Sequence, residues 1–291
     1  MENTRVRKIN KKCIIMLMIF LTFSLLGVFY IVHITGTSNC RFFMWEIRSI
    51  ARFFCNEESH IYSSLESALY EPKKVYILDL YKKNLTHLSP EFGNLNSLVE
   101  LNLGYNQLVE LPSEFGKLSK LLKLSLHNNK LKKLPAEFGN LTSLVQLDLQ
   151  YNQLVELPSE FVKLKDLMFL DLSDNQLTKL PVGIGKLKDL QQMNLNANHL
   201  THLSLEIGNL RNLKKLHLSY NKLTKIPPEI GNLKKLEMLT LNNNQLYQLP
   251  REIGNLTNLK VIYLSGNLLP VEEIIKFKKL LPDCLIDPEE E

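Results

Sequence analysis

One spacing governs most of this sequence: an asparagine returns every 23 residues, with no insertion or deletion between copies. Around these positions the frame Leu-x-Leu-x-x-Asn-x-Leu recurs, as in Leu101, Leu103, Asn106 and Leu108. Such a period indicates one short structural unit repeated and stacked, because a single unit is too small to bury its own apolar face. The asparagines of this column, called the ladder asparagines below, are Asn106, Asn129, Asn152, Asn175, Asn198, Asn221, Asn244 and Asn267.

Each part of the repeated frame predicts a local structure. The Leu-x-Leu stretch predicts a short strand, since period-two alternation sends the leucines to one side and the intervening residues to the other. Where the chain turns at the end of this strand, backbone groups point inward, and an asparagine amide can both donate to them and accept from them. The chain then returns through the phrase Leu-Pro-x-Glu-Phe/Ile-Gly-x-Leu, as in residues 111–118. Ser204 replaces the proline of this phrase and Val162 replaces its glycine; we expect both to conserve shape and leave the fold intact.

The period and the frame resemble the leucine-rich repeat family over residues 75–285. The return phrase is similar to that of intracellular Ras-binding scaffolds, plant Ras-group-related repeat proteins and bacterial leucine-rich repeat proteins. The resemblance implies an α/β fold: a solenoid curved as a right-handed horseshoe with a parallel sheet on its concave side, of about nine coils, over residues 73–269. Lys83 takes the ladder position of the first coil, as expected of an irregular terminal repeat. A C-terminal cap helix with an acidic tail is expected over residues 270–291.

The N-terminal residues predict a membrane anchor. Residues 13–34 are almost wholly apolar, and residues 1–12 form a basic flank with five Lys and Arg against Glu2. A helix of this length spans roughly 33 Å, enough to cross a bilayer core, which predicts one transmembrane signal-anchor ahead of the repeats. The positive-inside rule then leaves the N-terminus cytoplasmic and the repeats extracytoplasmic. The alternative is a cleaved secretory signal, but such signals have apolar runs of ~7 to 15 residues and an Ala-x-Ala-like site.

Residues 35–72 are expected to form juxtamembrane and N-terminal cap helices. The stretch from Cys40 to Cys55 has arginines on one helical face and Phe and Ile on the other. It is interpreted either as a helix on the lipid surface or as a cap over the first coil. A continuous helix would hold the two thiols roughly 22 Å apart, so such a helix and a disulfide between Cys40 and Cys55 exclude each other, and the sequence leaves both open. A second short helix over residues 61–69, ended by Pro72, leads into the first coil.

Charge and composition exclude several functions. The formal net charge is +5, but the first 60 residues hold eight Lys and Arg against four Asp and Glu, which leaves +1 for the remainder. A nearly neutral repeat region is a poor electrostatic match for nucleic acid. The sequence contains no Gly-rich phosphate loop, Cys-x-x-Cys pair, Gly-x-Ser-x-Gly elbow or His-Glu-x-x-His motif. We therefore predict no enzymatic activity, no cofactor, no metal site, no nucleic-acid partner and no small-molecule substrate.

The outward strand positions predict a binding surface, since the concave sheet is the usual binding surface of a curved solenoid. Asp148 and Asp171 fall side by side on adjacent coils, where like charges roughly 4.8 Å apart destabilise a sheet. Asp174 adds a third carboxylate, and Tyr151 and Phe169 are expected to be exposed beside it, so a basic protein with an apolar contact could offset the repulsion. The alternatives are a solvated face that keeps the sheet soluble and, with fewer oxygen ligands than the ion prefers, a calcium site. The predicted partner-binding residues are Tyr105, Asp148, Tyr151, Phe169, Asp171 and Asp174.

Together these patterns predict a non-enzymatic, membrane-anchored repeat protein that binds a protein partner through its concave face. Two alternatives keep the fold and change the location. One is a cytoplasm-facing signalling scaffold, as the resemblance to Ras-binding repeat proteins implies. The other is a secreted or surface adhesin that binds a ligand after signal cleavage.

Overall fold

The computed structural model describes residues 61–286, whose strands form one parallel sheet of eleven strands hydrogen-bonded in chain order. Nine of them have three residues each and begin 23 residues apart. Two-residue strands extend the sheet at either end. The strands are β1 (Ile61–Tyr62), β2 (Ile77–Asp79), β3 (Glu100–Asn102), β4 (Lys123–Ser125), β5 (Gln146–Asp148), β6 (Phe169–Asp171), β7 (Gln192–Asn194), β8 (Lys215–His217), β9 (Met238–Thr240), β10 (Val261–Tyr263) and β11 (Leu285–Ile286).

Strict repetition places equivalent side chains beside one another. Each three-residue strand buries its middle side chain and turns its outer two away from the core. In the register of β5 and β6, Leu147 pairs with Leu170, and one hydrophobic cluster continues through the described coils. Phe115 and Phe138 stack with ring centroids 6.3 Å apart and planes 2° apart. Stacking thus buries the apolar face that no single coil could bury.

The return limb of each coil contains a short 3₁₀ helix, as in Ser113–Lys117. It starts after Pro112, whose ring presets the backbone, and ends where the N–H of Leu118 donates to the carbonyl of Phe115 at 3.2 Å. Helices of this type stay short because their hydrogen-bond geometry is poor. The others are Pro72–Lys74, Pro90–Asn94, Ala136–Asn140, Ser159–Lys163, Ile184–Lys186, Leu205–Asn209, Pro228–Asn232 and Arg251–Asn255.

A column of glycines in the return limb lies against the backbone of the next coil. A Cβ at Gly185 would stand only 2.6 Å from the carbonyl oxygen of Glu206, 21 residues further on. Val162 interrupts this column, and by the same offset it faces position 183, which is glycine where the other coils have glutamate. Gly183 adopts φ +88°, and the 3₁₀ helix there begins only at Ile184. Val162 therefore does not conserve shape by itself; the backbone at Gly183 leaves the path that the valine would obstruct.

Two α-helices flank the repeats: α1 (Leu65–Tyr70) and α2 (Val271–Leu280). Ile274 and Phe277 of α2 are buried in the common core. Ile61, expected in the first helix, lies instead in β1, which pairs in parallel with β2. That the two helices cap the solenoid stays a prediction.

Each ladder asparagine joins two consecutive coils. Asn175 is 5% exposed, and its amide nitrogen donates to the carbonyl oxygens of Leu149 and Leu172 at 3.0 and 3.1 Å. Its Oδ1 accepts from the N–H of Leu154 at 3.0 Å. Since Leu149 and Leu154 belong to the preceding coil, the amide satisfies backbone groups on both sides of the joint.

The hydrogen bonds from each ladder asparagine to the preceding coil explain the irregular first coil. Asn106 accepts from the N–H groups of Lys83 and Leu85, both at 3.0 Å, and donates to the carbonyl of Leu80 at 2.9 Å. A ladder asparagine thus forms hydrogen bonds with backbone groups of the coil before its own. Within residues 61–286 only the short β1 precedes the first coil, so the lysine at position 83 has no earlier full coil of the described chain to bond.

The predicted localisation requires correction. No helix within residues 61–286 is long and apolar enough to cross a membrane, so a single-pass membrane protein with extracytoplasmic repeats is not supported. The proposed anchor at residues 13–34, its flank at 1–12, the stretch from Cys40 to Cys55 and the tail at 287–291 all lie outside the described residues.

Candidate functional site

The strand face, defined here as the outward side chains of β2 to β10, consists of two columns. In-register pairing aligns equivalent residues of neighbouring coils along each column. The first column is Ile77, Glu100, Lys123, Gln146, Phe169, Gln192, Lys215, Met238 and Val261. The second column is Asp79, Asn102, Ser125, Asp148, Asp171, Asn194, His217, Thr240 and Tyr263.

Acidic and amide residues of the second column fold back onto their own turns. Oδ1 of Asp148 accepts from the N–H of Gln150 at 3.1 Å, and Oδ1 of Asp171 accepts from the N–H of Ser173 at 2.9 Å. Asn194 makes the same bond to the residue two positions on. These are Asx turns, which favour aspartate or asparagine at this position for local reasons. Sequence reasoning did not identify this structural role of the two aspartates.

The structure places Asp148 beside Asp171, links Asp174 to Asp148 through Gln150, and supplies hydrogen-bond donors to all three carboxylates. Asp148 and Asp171 pair in register on β5 and β6. Oδ2 of Asp171 accepts from the amide of Asn194 at 3.0 Å, and Oδ2 of Asp174 accepts from the amide of Gln150 at 3.4 Å. Burial raises the pKa of the Asp148 carboxyl, and the charge of Asp171 adds to the rise. The expected repulsion is therefore present, but hydrogen bonds within the sheet offset part of it.

The predicted tyrosines lie in a third column, the residue before each ladder asparagine. Tyr105 and Tyr151 are 43% and 50% exposed and adopt φ of 53° and 51°. In this left-handed conformation the N–H of Tyr105 donates to the carbonyl of His127 at 2.9 Å, which continues the bonding between coils. Phe169, expected to be exposed, is only partly exposed in the first column of the strand face.

His127 links two residues of the predicted site. Its Nδ1 lies 2.6 Å from Oγ of Ser125 and 3.2 Å from Oδ2 of Asp148. Its ring meets that of Tyr105 edge-to-face, with centroids 5.2 Å apart. The imidazole lies over Gly104, where a Cβ would come 2.5 Å from Cε1. Gly104 is the only glycine two residues before a ladder position, and this was the sequence signal for the histidine's place.

Ser125, His127 and Asp148 are not arranged as a catalytic triad. In a triad the serine and the carboxylate contact different ring nitrogens, whereas here both oxygens approach Nδ1. Within residues 61–286 there is also no group of three or more His, Cys, Asp and Glu placed to hold a metal ion.

A depression of about 430 Å³ crosses the strand face from β2 to β5. Asp79, Glu100 and Asp148 contribute three carboxylates to its lining, and Lys123 contributes one ammonium group. The carboxylates therefore outnumber the ammonium group, and the depression has an excess of negative charge. Of the residues predicted to bind a partner, Asp148 lines it directly.

His217 lies on the strand face beyond the acidic pair, beside Asn194 of β7. Burial lowers the pKa of its imidazole, and the charge of Lys215 lowers it further, while Asp171 opposes both. The neutral ring is therefore favoured in the folded protein.

Comparison with protein families gives a consistent result. The model described as "Leucine-rich repeat region" matches residues 122–219 and 194–281, which together exceed half of the chain. The model described as "Leucine Rich Repeat" matches residues 97–118. No curated protein sequence matches the chain closely enough to count as a relative.

Several solved structures are similar to this chain. An internalin from Listeria monocytogenes is 24% identical over 78% of this chain and 66% of its own, with a TM-score of 0.68, and shows the fold alone. The leucine-rich repeat domain of the type III effector XopL is 27% identical over 78% of this chain and 79% of its own, with a TM-score of 0.67. A structure of the Toll–Spatzle complex from Drosophila is 27% identical over 72% of this chain but only 29% of its own, with a TM-score of 0.64.

Proposed function

Because this chain belongs to the leucine-rich repeat family, we propose that its strand face binds a protein partner. Repeats of this family commonly serve as non-enzymatic scaffolds for protein–protein interaction, and a long sheet of parallel strands offers an extended surface for it. In this proposal the strand face is the concave side of a right-handed horseshoe of about nine coils, with α1 and α2 as its caps.

The depression across β2 to β5 carries the proposal. Its three carboxylates outnumber its single ammonium group, so it suits a basic segment of the partner. Tyr105 and Tyr151 stand exposed near this region and offer large, rigid contact surfaces with a polar end, as interface anchors do. Asp171 and Asp174 add negative potential beside it, although Asp171 already accepts several hydrogen bonds within the sheet.

The Toll comparison supports the same conclusion by similarity. That protein is described in a complex with Spatzle, which is a property of that protein. This chain spans 29% of the Toll chain, so what it shares with Toll is the repeat scaffold, and its own partner follows from its own strand face.

Site-specific photo-crosslinking tests the proposal. A photoreactive amino acid at Gln146, in the depression, should form covalent adducts with one protein in cells that express the full-length chain. The matched control carries it at Lys120, an exposed residue of a return limb. Adducts at Gln146 but not at Lys120 support the strand face; equal adducts at both positions, or adducts at Lys120 alone, contradict it.

A further inference from the structure

Two tyrosines at the N-terminal end of the repeats form a cleft that already holds a cation. The rings of Tyr81 and Tyr105 stand 5.3 Å apart at 68°. The ammonium nitrogen of Lys82 lies 5.1 Å from the centroid of the first ring and 5.0 Å from that of the second. Both distances fall within the roughly 6 Å over which a cation is attracted to an aromatic face. The two rings are 37% and 43% exposed, so the cleft opens to solvent.

His127 provides a third ring beside this cleft. Its centroid lies 6.2 Å from that of Tyr81 and 5.2 Å from that of Tyr105. The contacts of its Nδ1 with Ser125 and Asp148 hold the imidazole in place. The same histidine lines the depression with excess carboxylates. An aromatic cleft bordered by negative potential is the arrangement that favours an organic cation.

The repeat makes this cleft specific to one place. Tyr220 occupies the same repeat position as Tyr105 and is 63% exposed. The residues that correspond there to Tyr81 and Lys82 are Asn196 and Ala197, which provide neither a second ring nor a cation. Equivalent backbone positions therefore present a lone tyrosine in one coil and a cation-holding pair in another.

We propose that the cleft between Tyr81 and Tyr105 is a subsite for a lysine ammonium group of the partner protein, which enters in exchange for Lys82. This inference rests on the proposed function of the strand face. Lys82 indicates the ligand because its own ammonium group occupies the cleft between the two rings. A partner lysine makes the same contacts, and the displaced Lys82 side chain returns to water.

The subsite can be tested without the partner. The full-length chain is labelled with 3-fluorotyrosine and titrated with tetramethylammonium, and the tyrosine signals are followed by ¹⁹F NMR. Tetramethylammonium binds aromatic ring faces but forms no hydrogen bonds. We expect saturable shifts of the Tyr81 and Tyr105 signals. The Lys82→Met variant, which keeps the chain length and removes the competing charge, should bind the probe about two- to fivefold more tightly, the factor set by a cation–π contact at an exposed site.

Two substitutions at one repeat position separate the subsite from a general surface effect. Tyr105→Asn should abolish the shift at Tyr81, whereas Tyr220→Asn should leave it unchanged. Asparagine already stands at this position in other coils, with left-handed φ at Asn128 and Asn243, so both variants keep the fold. An absent shift, unchanged affinity in Lys82→Met, or equal loss in both variants would show that the Lys82 contact is only structural.

The outcomes also separate this subsite from the proposed function. Cross-linking at Gln146 with no saturable binding of the probe contradicts the subsite but still supports a protein partner on the strand face. A successful titration without adducts at Gln146 removes the protein partner, and the exchange with it. Support for the exchange requires both results, together with weaker cross-linking at Gln146 in Tyr105→Asn than in Tyr220→Asn.

Discussion

The pairing of Val162 with Gly183 makes a quantitative prediction about stability. Gly183→Glu restores the glutamate of the other coils but leaves it two unfavourable conformations. If the backbone keeps φ near +88°, a non-glycine residue incurs about 1–3 kcal/mol of strain. If it takes the regular path, its carbonyl meets the Val162 side chain, and overpacking costs about 1–3 kcal/mol. We therefore expect Gly183→Glu to lower the free energy of unfolding by about 1–3 kcal/mol by either route.

The double variant distinguishes this explanation from a simple loss of glycine. Val162→Gly alone should cost about 1.5–3 kcal/mol, because it removes a buried side chain. When both substitutions are present, the glutamate introduced at position 183 can follow the regular path, since the valine no longer obstructs it. The double variant should therefore be more stable than the sum of the single effects predicts. We expect a coupling energy of about 1–3 kcal/mol, within the range found for residues in contact.

Equilibrium unfolding in urea, followed by circular dichroism and compared at constant m-value, measures all of these quantities. A matched control moves the substitution to a regular coil: Gly231→Val faces Glu252, and a Cβ at Gly231 would lie 2.5 Å from the glutamate carbonyl. This variant should also be destabilised, and adding Glu252→Gly should restore part of the loss. Single effects at Val162 and Gly183 that add within about 0.5 kcal/mol would refute the coupling.

Three further substitutions test the strand face and the ladder. Asn175→Leu leaves the N–H of Leu154 and three carbonyls without their amide partner and should cost at least about 1–3 kcal/mol in urea unfolding; an unchanged midpoint would contradict the ladder's role. Asp148→Asn keeps an oxygen for the turn and removes a charge whose burial raises the pKa of the carboxyl. The variant should therefore have a higher melting temperature than the wild-type chain at pH 7. This gain should disappear as the pH falls and the wild-type aspartate becomes protonated. His217→Gln removes an imidazole whose pKa is lowered by burial; the wild-type chain should lose stability as the pH falls below about 6.5, and the variant should lose less over that range in thermal scans.

The repeated part of the fold could be predicted from the sequence because period and burial specify the same arrangement. A fixed spacing of 23 residues places Leu147 beside Leu170 and Asp148 beside Asp171, as the strand register has them. The ladder position predicted an amide that both donates and accepts, and Asn175 makes bonds of both kinds.

What the spacing could not predict depends on differences between coils. The Asx turn of Asp148 and the contact of His127 with Gly104 arise from local geometry at single positions. The accommodation of Val162 depends on Gly183, a glycine 21 residues away. Comparing each position only with the equivalent positions of other coils does not relate these two residues, because they lie in different columns. At the ends of the sheet, β1 and β11 lie outside the repeat frame. They extend the sheet by pairing with β2 and β10, so the 23-residue spacing does not predict them.

The ladder asparagines have a consequence for how the chain is completed during synthesis. Each amide binds backbone groups that precede it by up to 26 residues, as Asn152 binds the carbonyl of Leu126. Until the following coil has left the ribosome, the polar backbone groups at the turn of a newly made coil therefore lack their asparagine partner. We therefore expect a chain that ends within the repeats to leave the turn of its last coil bonded to water, because the asparagine that would bond it is missing.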